Sequence, residues 1–248
     1  MRARAPRQLA RLWRASARGA GLALSFWLAG QGASAQTILS AEFTEPTPRY
    51  DHAILGDALE WGALTLTLSD GTRRLFRLPE TLVFEDLTPR LADLDGDGAP
   101  EVIVVETSLA KGGRLAVWGP EGRIAQTPHI GQTHRWLAPI GAADLDGDGK
   151  VEIAYIDRPH LAKELRIWRF ENGHLSEVTR AKGLTNHRIG WDYIEGGIRD
   201  CGQGPEMITA DAEWRQVMAS RFKGGQLRSR ALGPYSPAAI ADALACNG

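Results

Sequence analysis

Four short turn signals, spaced almost evenly along the chain, restrict its fold more than any other feature. Asp70-Gly71, Glu121-Gly122, Asn172-Gly173 and Gly224-Gly225 each follow a strand-like run, and their final glycines lie 51, 51 and 52 residues apart. Glycine supplies the positive φ that tight hairpin turns require. The runs before the turns, Ala63–Leu68, Arg114–Trp118, Glu164–Trp168 and Gln216–Ala219, are short, and the first three are rich in strand formers. A chain that repeats in this way builds similar small β units and buries each against its neighbour.

A second marker recurs at the same interval. Ala92-Asp93-Leu94-Asp95-Gly96-Asp97-Gly98-Ala99-Pro100-Glu101 returns as Ala143-Asp144-Leu145-Asp146-Gly147-Asp148-Gly149-Lys150-Val151-Glu152. Both run into apolar strands, Val102–Val105 and Ile153–Ile156. A worn copy stands at Asp200–Glu206 before Met207-Ile208, and the first unit lacks the acidic loop. A period near 50 with about four strands per unit predicts an all-β fold, a β-propeller of about four blades over residues 36–235. Four blades make a small ring, so a partial or rearranged propeller stays open. Residues 236–248 read as a tail, with Ser236 as N-cap and Pro237 in the first turn of a short C-terminal helix ending at Ala245.

Aspartates at alternate positions with glycines between them fold a loop so that several oxygens converge. Calcium takes 6–8 such oxygens and tolerates irregular geometry. The expected donors are Asp93, Asp95, Asp97, the carbonyl of Ala99 and Glu101 in one loop. In the other they are Asp144, Asp146, Asp148, the carbonyl of Lys150 and Glu152. An EF-hand begins similarly but needs a glutamate at loop position 12 and flanking helices. Those positions hold Val104 and Tyr155, inside apolar β-type runs, which excludes it.

These paired Asp-Leu-Asp-Gly-Asp-Gly loops leading into apolar strands resemble FG-GAP/VCBS repeats, as in the propeller of integrin α subunits. The resemblance covers roughly residues 91–170; the literal Phe-Gly and Gly-Ala-Pro motifs are absent, and the family's calcium ligands carry over onto the ten positions above. It implies calcium as the cofactor and a scaffold stiffened on its loop side. It transfers no single activity, because the fold hosts many.

The start of the chain reads as a leader. Residues 1–35 hold six arginines and no acid, then the apolar run Leu22–Ala29, then Ala33-Ser34-Ala35. That order is a secretory signal with cleavage after Ala35. Its apolar core is under half of the ~20 residues a span needs, and no later stretch is longer, so no membrane span is expected after cleavage. The expected location is outside the cytoplasm, periplasmic or extracellular. There, Cys201 and Cys246 can pair as a disulfide. Residues 36–248 carry 23 basic and 30 acidic side chains, which argues against nucleic acid as a partner.

No G-x-S-x-G elbow, H-E-x-x-H helix or P-loop occurs, so nothing marks the chain as an enzyme and no catalytic residue is assigned. An acid closes the apolar strand of every unit: Asp57, Glu106, Asp157 and Asp211. A Thr–Arg element precedes each unit: Thr47–Arg49, Thr88–Arg90, Thr133-His134-Arg135 and Thr185-Asn186-His187-Arg188. These segments are expected on the face opposite the acidic loops. One reading is a girdle of Arg–carboxylate pairs between units; the other is a ligand site formed by His134, Arg135, His187 and Arg188. The leading function is an interaction module for a protein or glycan. The alternatives are a structural subunit of a larger extracytoplasmic assembly, or a carbohydrate-acting enzyme using the His/Arg face.

Overall fold

The computed structural model of the chain describes residues 36–56 and 58–247; the predicted leader, residues 1–35, lies outside them, as does Asp57. The first unit is β1 (Ile38–Thr47), β2 (Glu60–Leu68) and β3 (Arg73–Arg77), with β2 pairing antiparallel to both neighbours. β4 (Leu82–Phe84) then bridges β2 to the second unit, Phe84 standing opposite Trp61 on one side and Glu106 on the other. That unit comprises β5 (Arg90–Ala92), β6 (Glu101–Ser108), β7 (Gly112–Gly119) and β8 (Gly122–Gln126). The bridge makes the first two units one eight-stranded sheet.

The third unit is a separate four-stranded meander, β9 (Leu137–Ala143), β10 (Glu152–Asp157), β11 (Glu164–Glu171) and β12 (His174–Lys182). The fourth joins β13 (Leu184–Thr185), β14 (Gly197–Asp200), β15 (Pro205–Asp211), β16 (Gln216–Lys223) and β17 (Gln226–Pro234). The expected hairpins fall at the predicted glycines. A register shift also recurs between the last two strands of each meander, at Val117/Trp118, Ile167/Trp168 and Val217/Met218. An extra residue there increases local twist in each copy.

The units pack face to face, which explains why the central strands are apolar on both sides. In β6, Val102 and Val104 pack on the first unit's Leu64, Leu66 and Leu68. Ile103 and Val105 meet Trp136, Ile153 and Tyr155 of the third unit. β10 repeats the arrangement, with Ala154 and Ile156 meeting Leu184, Met207 and Phe222 of the fourth. The remaining face of that last sheet, Ile208, Val217 and Ala219, is covered by Ile240 and Ala243 of α1 (Pro237–Leu244).

The all-β class holds, and the question of ring closure left open by the sequence falls on the last face of the stack. The face that closure would press against the first unit belongs to α1, and among the described residues no strand of the first unit pairs with one of the fourth. The array is an all-β stack with one short helix at its end. Ser236 caps that helix, its side chain accepting the Ala239 N–H at 3.0 Å. A disulfide joins Cys201 in the β14–β15 loop to Cys246 just past α1. Among the described residues no helix is long and apolar enough to cross a membrane.

Candidate functional site

Strand register sorts the candidate residues onto two ends of the stack. In the third unit Glu152 stands opposite Ala143, with the acidic loop between them, whereas Asp157 stands opposite Leu137, the residue after His134-Arg135-Trp136. In the fourth, Asp211 lies opposite Leu184, just before His187-Arg188. The acidic loops therefore occupy one end and the Thr–Arg segments the other.

At the loop end the glycines set the shape. Gly96, Gly98, Gly147 and Gly149 all take left-handed φ between 78° and 88°, which turns successive backbone N–H groups inward. Both oxygens of Asp93 accept from this backbone, Oδ1 from Gly96 and Oδ2 from Gly98. Asp144 repeats the bonds with Gly147, Asp148 and Gly149. Oε2 of Glu101 accepts from Leu94 N–H at 2.9 Å, and Oε2 of Glu152 from Leu145 N–H at 2.9 Å.

The result is two sets of converging carboxylate oxygens, Asp93–Asp95–Glu101 and Asp144–Asp146–Glu152, each within 4.8 Å of one another. Asp97 and Asp148 are not in these sets; their Oδ1 atoms accept from the N–H groups of Ala99 and Lys150. Burial and the acids Asp95, Asp97 and Asp93 raise the Glu101 carboxyl above its ordinary range. Burial likewise raises Glu152, partly offset by Arg169. Oδ1 of Asp146 is buried with no hydrogen-bond partner. Converging hard oxygens, one of them the unpartnered Asp146 Oδ1, fit a divalent cation such as calcium. Such an ion would neutralise the loops and lock the strands they connect.

The connector end differs from the expectation in detail. His134 and Arg135 line a small cleft with His52, Trp136, Arg158 and His160, enclosing about 30 Å³. His187 is fully buried beneath it, its Nδ1 3.1 Å from His160 Nε2 and its Nε2 2.9 Å from the Trp191 carbonyl. It supports the cleft rather than lining it. Arg188 is exposed and held elsewhere, its guanidinium 4.6 Å from the Trp214 ring centre and 5.4 Å from that of Trp191. The four residues thus share an end but not one pocket.

Among the described residues, the acids at this end, Glu106, Asp157 and Asp211, close on their own units and form no girdle. Glu106, fully buried, accepts from Arg114, Arg123 and the Trp118 indole. Asp157 pairs with its neighbour Arg158, and Asp211 accepts the N–H groups of Arg215 and Gln216.

Spacing along the chain did not reveal His52 or His160, which arrive from connectors far from His134 and His187. His52 Nδ1 meets the buried Glu85 at 2.5 Å, and the rings of His52 and His134 are 5.2 Å apart. Exposed apolar side chains flank this end: Leu161 at the cleft, with Ile189 and Tyr193 on the connector that carries His187.

A family model described as an FG-GAP-like repeat matches residues 93–155, which take in both acidic loops and run from the second unit into β10 of the third. No curated protein matches the chain.

Proposed function

We propose that this FG-GAP-repeat chain is an exported interaction module, a propeller-type array left open by α1 and stiffened by calcium at its loop end. Its recognition surface is the connector end, and its partner is a protein or glycan. The observation that carries this reading is the contrast between the two ends. One gathers two sets of converging carboxylates, while the other exposes Leu161 beside His134, Arg135 and Arg158, with Ile189 and Tyr193 exposed on the connector that carries His187.

Apolar and aromatic groups mixed with arginine mark surfaces that bind macromolecules. The His/Arg cleft of about 30 Å³ holds roughly one water. A small-molecule site is on the order of 300 Å³ or more. That difference favours a docking face over the carbohydrate-enzyme reading.

Two measurements test it. Intact mass of exported material is expected to begin at Gln36; material beginning at Met1 contradicts export by this leader. Immobilised protein, probed with extracellular proteins and a glycan array, is expected to retain a ligand that the double variant Arg135→Ala/Tyr193→Ala loses at an unchanged melting temperature. Equal retention by both proteins rules the connector end out.

A further inference from the structure

The two acidic loops have the same sequence pattern but not the same surroundings, and one position explains the difference. Glu152 lies directly opposite Arg169 on β11. The Arg169 guanidinium spans three loop carboxylates, reaching Glu152 Oε1 at 2.6 Å, Asp148 Oδ2 at 2.9 Å and Asp146 Oδ2 at 3.1 Å. In the second unit Val102 pairs with Trp118, so Glu101 comes opposite Gly119, one step further along β7. Among the described residues no lysine or arginine pairs with Asp93, Asp95, Asp97 or Glu101.

In the fourth unit Met207 pairs with Ser220, so Glu206 comes opposite Arg221. Arg221 binds Glu206 Oε1 at 2.9 Å, and Arg199 and Arg230 bind the same carboxylate. That unit keeps only Asp200 of the loop aspartates, bonded to the Gly202 and Gly204 N–H groups, and its glutamate is already neutralised by arginine.

Resting on the calcium reading, we propose that the residue opposite the loop glutamate sets how each unit is neutralised. Gly119 leaves the 93–101 loop open to a divalent cation. Arg169 makes the 144–152 loop a gated site, which the metal enters only by displacing a guanidinium. Arg221 makes the fourth unit metal-independent. The orphaned Asp146 Oδ1 shows that Arg169 does not complete the hydrogen bonding of its loop, so that loop retains room for exchange. Calcium must break the three Arg169 ion pairs before it can enter, so this loop fills only at a higher calcium concentration than the open one. The array would then carry one permanently filled joint and one that responds to the surrounding calcium.

The test is calorimetric titration of calcium chloride into the metal-free exported chain. The expected result is one tight site and a second about tenfold weaker or more. Asp95→Asn removes the tight site, whereas Asp146→Asn leaves it. Arg169→Gln brings the second site close to the first, and a circular dichroism melt checks that this variant folds. The reverse change serves if it does not. Gly119→Arg is expected to weaken the tight site by about tenfold. It is made with Ile124→Ala, because a Cβ at 119 would come within 2.8 Å of Ile124 Cδ1. Two equal sites unmoved by these changes, or a tight site lost with Asp146→Asn, overturn the inference and leave the calcium reading standing. No calcium binding by the wild-type chain removes both.

Discussion

Nε2 of His160 and Nδ1 of His187 lie 3.1 Å apart, so one ring must donate to the other and the contact requires at least one neutral imidazole. His187 is fully buried, and burial lowers its affinity for a proton. Burial, followed by the proximity of His187, lowers the pKa of His160 to about 4.

The sign of the pH effect follows from these shifts. An unfolded histidine gains its proton near pH 6.5, whereas His160 in the folded chain resists protonation until about pH 4. Between those values the unfolded state binds more protons, so stability falls as pH drops through this window. Urea midpoints taken in excess EDTA are expected to decline from pH 7 to pH 4.5, and His160→Gln should make the decline shallower. An equal slope in the variant removes this pair as the cause.

Calcium removal should destabilise the wild-type chain. A ligand that binds only the native state adds about 2.7 kcal/mol at one hundred times its dissociation constant. Excess EDTA is therefore expected to lower the melting temperature, and Asp95→Ala with Asp146→Ala to abolish most of that response. An unchanged wild-type melt in EDTA contradicts metal binding.

The Cys201–Cys246 bridge closes a 45-residue separation. For such a loop the chain-entropy account predicts about 4 kcal/mol. Cys201→Ser with Cys246→Ser should lower stability by an amount of that order. Because α1 lies over Ile208, Val217 and Ala219 and the bridge ties its end, amide exchange should rise first in residues 237–244. Exchange rising uniformly over the chain would show that α1 is not the part the bridge holds.

Glu106 offers a sharper stability test. It is fully buried and takes bonds from Arg114 at 2.6 Å, Trp118 at 2.9 Å and Arg123 at 2.9 Å. Removing the carboxylate leaves buried donors unpaired, at a cost of about 3 kcal/mol. Glu106→Ala should therefore unfold at markedly lower urea, while Glu42→Ala, at an exposed ion pair with Arg73, changes little.

Much of the fold was legible in the sequence because its signals are local. A hairpin needs glycine within a few residues of its strands, so Gly122 and Gly173 announced their turns without knowledge of the rest. The acidic loops were legible for the same reason, since Asp93 and Gly98 meet within one turn of backbone. Ser236 and Pro237 announced α1 likewise. The all-β class, the unit boundaries and the converging carboxylates follow from such short-range chemistry.

What the tertiary structure alone decided are relations between segments distant along the chain. The repeat period predicts similar units but not which faces meet, and the last apolar face can be covered by the first unit or by a helix. Here α1 covers it. β4 joins two units into one sheet because Phe84 can pair with strands on both sides, a choice made by edges that no periodicity describes. His52, His134, His160 and His187 gather only because four connectors emerge at one end of the stack. Arg169 reaches the acidic loop because register sets it opposite Glu152, whereas Gly119 leaves the matching place in the second unit bare. Turn chemistry acts over a few bonds, but packing and register are settled by the whole chain at once.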